Sequence, residues 1–196
     1  MRRSAALLLL CALALPALSA VAPAQTQPQA GLSFAAQEPI TLDVADIEIV
    51  NSYVPPMQDP NVEHLIPVTP ADVVKLWAQD RLRAGGQAGR ARVIIRQASV
   101  KEMPLPRTKG IRGWFTKDQS ERYEGTLDVE IRIDRNARGY SGHASTIVSR
   151  STSVREDVSL AERDKALLDL VRAMAQDLNS QLETTIKNNL NPVVIL

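Results

Sequence analysis

The chain has 196 residues, 23 Lys and Arg against 22 Asp and Glu, and one cysteine, Cys11. That near-neutral balance excludes a surface built to coat nucleic acid, and a lone cysteine excludes a fold held by its own disulfides. With an N-terminal export signal set aside, about 170 residues remain, which suits one domain able to fold on apolar burial without metal or disulfide.

Met1-Arg2-Arg3 forms a short positive start, and Ala5 to Leu18 is an uncharged run of Ala and Leu with Pro16 late in it, the proportions of a secretory signal. A bilayer-spanning helix needs about 20 apolar residues, and polarity returns here at Ser19 and Gln25. The small residues Ala22-Pro23-Ala24 place cleavage after Ala24, with Ala20 as the second position and an uncleaved anchor as the alternative. Leu10 precedes Cys11 where lipoprotein processing requires a small residue, so Cys11 falls in the discarded segment. A periplasmic location is expected, for a mature chain with no cysteine and 21 basic residues once Arg2 and Arg3 are removed.

The domain reading is a signal peptide over 1–24, a flexible Gln-, Ala- and Pro-rich tether over 25–38, and a single α+β domain over 39–196. Ile40, Leu42 and Val44 alternate, after which the apolar parity shifts to Ile47 and Ile49. This predicts a long first strand bulged near Ala45-Asp46. Prolines 55, 56, 60, 67 and 70 make an extended connector. Thr69-Pro70 caps a helix whose Val73, Val74, Trp77, Ala78 and Leu82 share one face, with Gly85-Gly86 as its stop.

Ala91 to Met103 reads as a strand near the sheet centre, between Gly89 and Pro104. In Tyr123 to Arg135, Leu127, Val129, Ile131 and Ile133 alternate with polar residues, the pattern of a sheet with one covered and one wet face. A turn at Asn136 to Gly139 sets Arg135 opposite Tyr140. That register places Gly142, Ala144, Thr146 and Val148 against Ile133, Ile131, Val129 and Leu127, leaving a small-residue track over which a helix can lie. Ser159-Leu160-Ala161-Glu162 is a capping box. Behind it, Leu167, Leu170, Val171, Met174, Leu178, Leu182 and Ile186 form a stripe about 40 Å long. Val193 to Leu196 is an apolar tail that either pairs at a sheet edge or docks in a groove. The predicted fold is therefore α+β and two-layered, in the order β-α-β-β-β-α. About four mostly antiparallel strands are backed by two helices, the C-terminal one long.

Catalytic constellations do not emerge. His64 and His143 stand far apart, Ser141-Gly142-His143 is not a nucleophile elbow, and Asp128, Glu130 and Asp134 alternate as on any wet strand face. Gly85-Gly86 and Gly89 follow a helix instead of opening one, so they are not a phosphate loop. No catalytic residue, cofactor or metal is expected. One segment differs: residues 104–120 carry Arg107, Lys109, Arg112 and Lys117 around Ile111, Trp114 and Phe115. Basic residues beside aromatic ones suit a partner's acidic groove or anionic headgroups; the other reading has both rings folded back onto the core.

In its order of elements, its signal sequence and the passage from hairpin to long helix over Arg132 to Leu182, the chain resembles small Gram-negative envelope lipoproteins. Three groups share these features: the YajG-like proteins, the LptE-like assembly lipoproteins and the auxiliary lipoproteins of envelope ABC transporters. The likeness covers residues near 39 to 190 and departs at Leu10-Cys11, where the lipobox is broken. It implies a non-enzymatic partner, plug or accessory in envelope assembly or lipid transport, here one that binds another envelope protein. The basic aromatic loop makes binding to an anionic lipid or membrane surface the alternative, the charge balance argues against nucleic acid, and a hydrolase with a site built on His143 or His64 and carboxylates is the second alternative.

Overall fold

The structure, a computed structural model, describes residues 32–105, 119–135, 139–155 and 157–195. Its elements in chain order are β1 (Ile40–Leu42), β2 (Asp46–Asn51), α1 (Pro70–Arg81), β3 (Leu82–Ala84), β4 (Arg90–Pro104), β5 (Gln119–Arg135), β6 (Tyr140–Arg155), α2 (Leu160–Asn189) and β7 (Val194–Ile195). The large sheet has the order β2-β4-β5-β6, and a small one has the order β3-β1-β7. The β4–β5, β5–β6 and β1–β7 pairs are antiparallel, while β2–β4 and β1–β3 are parallel. The fold is thus α+β and mostly antiparallel, with two helices, as the periodicity predicts.

The alternation in β5 sets the core. Leu127, Val129, Ile131 and Ile133 are fully buried and pair with Val148, Thr146, Ala144 and Gly142 in the predicted register. α2 lies along the small-residue track of β6, so Ala144 is buried and the Thr146 hydroxyl donates to Gln181 at 2.6 Å. Leu167, Leu170, Val171, Met174, Leu178, Leu182 and Ile186 form its buried stripe, and the Ser159–Glu162 capping box starts it. Thr69 caps α1, accepting from the Asp72 backbone N–H at 3.2 Å, with Pro70 at the first helical position.

Four sequence expectations are corrected. The first strand is not one bulged strand but two, because the chain crosses at Asp43 to Ala45 from the small sheet to the large one. A bulge and a crossing shift apolar parity identically, so the pattern does not separate them. The bulge lies instead in β4 between Ile95 and Gln97, where buried positions move from 91, 93 and 95 to 98 and 100. α1 stops at Arg81, where Leu82 turns extended and enters β3, and Gly85 and Gly86 act beyond the helix. Packed chain also begins before Pro39: Leu32 and Phe34 are buried, and the Phe34 N–H donates to Asp80 at 2.8 Å. Of the two readings of the C-terminal tail, edge pairing holds, with Val194 and Ile195 opposite Leu42 and Thr41.

Candidate functional site

β4 ends, β5 begins, β6 ends and α2 begins at one end of the large sheet, as their registers require. The proline connector after β2 runs beside the second half of β4 toward that end. The Ser52 N–H donates to the Ile95 carbonyl, the Val62 N–H to the Val100 carbonyl and the Glu102 N–H to the Pro60 carbonyl. What fixes this connector is a buried polar cluster. Glu63 is 1% exposed and pairs with no cation among the described residues; its carboxylate accepts from the Tyr53 hydroxyl at 2.7 Å, the Val100 N–H at 3.1 Å and the Asn61 amide at 3.2 Å. Burial pushes its carboxyl up, but the bonds from Tyr53, Val100 and Asn61 outweigh this and hold it below the ordinary value. Burial first, and then the neighbouring carboxylate, push the Tyr53 phenol the other way, well above its usual value.

These shifts give the clip a pH window. A depressed carboxyl stabilises the fold above its unfolded value and loses that contribution as pH falls through the folded one. A raised phenol stabilises below its unfolded value and loses that contribution as pH rises through the folded one. Glu63→Ala leaves the Tyr53, Asn61 and Val100 donors without their acceptor and is expected to cost about 3 kcal/mol at neutral pH. In hydrogen exchange, the amides of Asn61 and Val62 should lose protection in the variant at pH 7, whereas the parent should keep it there and lose it on acidification through the folded Glu63 value. Equal protection in both at pH 7 would contradict the clip.

Between its pinned ends the connector displays apolar side chains. Val54, Met57 and Leu65 are 82%, 63% and 66% exposed, and a fourth exposed apolar residue, Leu160, starts α2 at the sheet end described above. Met57 sits at φ 57°, in the left-handed region that disfavours a side chain, between Pro55-Pro56 and Pro60. Sequence reading missed this arrangement. The proline spacing signalled an ordered connector, but no local pattern marks Glu63 as buried.

Arg107, Lys109, Arg112, Trp114, Phe115 and Lys117 lie outside the described residues, in the stretch that joins β4 to β5. His143 sits exposed on the outer face opposite Arg132, as its register predicts. His64 lies in a short 3-10 turn with Nδ1 buried and unpartnered. The structure does not bring the two together. On the outer sheet face, bulged Arg96 forks onto Asp128 and Glu130, Arg132 also reaches Glu130, Arg92 meets Asp134, and Arg90 meets Asp46 and Glu48. That face is an internally neutralised lattice. Among the described residues no group of three or more His, Cys, Asp and Glu is placed to hold a metal, and no helix is long and apolar enough to cross a membrane.

No family model matches the chain, and no curated protein is recognisably similar to it in sequence. Among solved structures it is similar to a minor lipoprotein from Acinetobacter baumannii, with TM-score 0.40 and 10% identity over 79% of this chain and 98% of that one. It is also similar to the rare lipoprotein B from Shewanella oneidensis, with TM-score 0.40 and 13% identity over 75% and 98%. A third neighbour is a Xanthomonas campestris protein of family DUF330, with TM-score 0.36 and 8% identity over 76% and 89%.

Proposed function

We propose that this chain is a non-catalytic accessory protein of the cell envelope, exported and freed of residues 1–24. In the periplasm it binds another envelope protein through the end of the large sheet that bears the proline connector. The observation that carries the reading is the connector itself: Val54, Met57 and Leu65 stand in solvent while a buried carboxylate and strand-edge bonds hold the backbone beneath them. Rigid display of apolar side chains lowers the ordering cost of association, and exposed apolar groups gathered on one segment mark contact sites. Arg107, Lys109, Arg112, Trp114, Phe115 and Lys117, in the sequence between β4 and β5, are proposed as further contacts on the strength of their cations and rings.

Photo-crosslinking in growing cells tests this. A photoreactive residue at Met57, Trp114 or Phe115 should give one discrete protein adduct, and the same group at exposed Asn188, at the far end of α2, should give none. Adducts of equal yield from both places, or none from the connector, would overturn the reading. The second reading, contact with an anionic membrane surface, is favoured by the basic residues around Trp114 and Phe115. It predicts flotation with phosphatidylglycerol vesicles that salt abolishes.

A further inference from the structure

We propose that the free edge of β6, with the flank of α2 beside it, takes up an extended, uncharged strand of a partner protein, adding a fifth strand to the large sheet. This surface is separate from the connector, so its failure leaves the reading above standing.

β6 is a 16-residue strand at the margin of the sheet, and among the described residues nothing pairs with its outer side. A row of unpaired N–H and C=O groups templates another strand unless it is blunted by brevity, charge, proline or a bulge. The other edges are blunted: β2 has six residues, including Asp46 and Glu48, and leads into the prolines, while β3 and β7 have three and two residues. β6 has none of these devices over Ser141 to Val154. Its side chains there are mostly Ser, Thr and small apolar residues, Arg150 is the one full charge, and Ile147 is 63% exposed on the outer face.

Beside Arg150, Ser151 and Thr152 runs an open groove of about 560 Å³ against α2, with Ala166, Leu170 and Ala173 as its apolar lining. Alternate side chains of an added strand, roughly 7 Å apart, fall into the roughly 10 Å between Ala166 and Ala173. Main-chain bonds to β6 would supply affinity and the groove selectivity, as in other recognition by strand addition.

Charge decides what kind of strand. The ions on the rim are already satisfied: Arg150 holds Asp177 at 2.5 Å, Lys165 holds Asp169 at 2.8 Å, and Glu162 accepts from the Ser159 N–H at 2.8 Å. An acidic side chain entering the groove would lose water and find both rim cations, Arg150 and Lys165, already paired, so a neutral strand with small apolar residues at alternate positions fits best. A second copy of this chain fits poorly. Arg150–Asp177, Thr146–Gln181 and Tyr140–Asn189 tie α2 along β6 itself. Pairing β6 with β6 at about 4.8 Å would crowd together two helices that need about 8–10 Å.

The test pans a display library of short random peptides on the purified chain, with the Ala173→Arg variant as counter-selection. Enriched peptides should alternate small apolar and polar residues and protect β6 amides near 148–154 from hydrogen exchange. Ala166→Arg and Ala173→Arg, at half-buried positions, should weaken them at least about tenfold with the melting temperature unchanged. Ser151→Pro and Thr152→Pro supply a check on folding. Neighbouring strand residues direct their N–H groups to opposite sides, so the variant that keeps its melting temperature should be the one that loses peptide binding. Lack of enrichment, equal binding to the arginine variants, or protection over residues 54–65 instead of β6 would overturn the proposal. So would a concentration-dependent dimer abolished by Ala173→Arg, which would assign the edge to self-pairing.

Discussion

Gly86→Ala is expected to lower stability by at least about 3 kcal/mol and to do so by forcing the two sheets apart where the chain passes between them. A Cβ on Gly86 would stand 2.6 Å from the Asp43 carbonyl carbon, 2.6 Å from the Val44 nitrogen and 2.4 Å from an Asp43 carboxylate oxygen. Two of those atoms are backbone and cannot swing away. The Gly86 N–H also donates to the Val44 carbonyl at 2.9 Å, so a shift that relieves the clash stretches a bond of the crossing. Urea unfolding should show a lower midpoint with an unchanged slope. Gly125→Ala makes the contrast, because the atom its Cβ meets at 2.3 Å is the Met174 sulfur, part of a flexible side chain. A smaller loss is expected there, and equal losses at the two glycines would contradict the backbone argument.

Arg81→Ala should cost about 3–5 kcal/mol. Its side chain is 2% exposed and joins three parts of the chain, donating to the Glu38 carbonyl, to Asn179 Oδ1 at 3.0 Å and to Glu183 at 2.5 Å. Trp77 Nε1 donates to the same Asn179 oxygen at 3.0 Å, so α1 and α2 meet across a shared acceptor. Truncation removes the guanidinium packing and leaves the Glu38 carbonyl without its donor. Arg81→Met with Glu183→Leu should recover part of the loss, since apolar side chains of similar volume restore packing around a pair of which only Arg81 is buried. Thermal unfolding of the parent and the two variants checks this, and a double variant no more stable than Arg81→Ala would contradict it.

Elements whose own side chains state their environment were legible in the sequence. The alternation of Leu127 to Ile133 fixes the register of β5 against β6, because a one-residue slip would turn four buried residues into water. Ser159 and Glu162 mark the start of α2 through bonds they make to each other. What was not legible depends on distant partners. β3 and β7 are too short for a pattern and exist because β1 lies between them. Arg81, at the end of a helix, carries the residue type expected of a solvated last turn, and only Asn179 and Glu183, about a hundred residues later, make it core. Glu63 likewise reads as a surface acid until Tyr53, Asn61 and β4 close over it. The free edge of β6 is also invisible locally, since being at a margin is a property of the whole sheet.

The reading as a contact protein rests on Val54, Met57 and Leu65 being displayed by the connector and not packed by it, which the melting temperature of a Val54→Ser, Met57→Ser, Leu65→Ser variant tests most directly. Substitutions at exposed positions cost about 0.5 kcal/mol or less each, and 1 kcal/mol moves the midpoint of a domain this size by about 2–4 °C. The expected shift is therefore no more than about 5 °C. A fall beyond about 10 °C would mean that these side chains hold the fold together, and the connector would then have no apolar surface to offer.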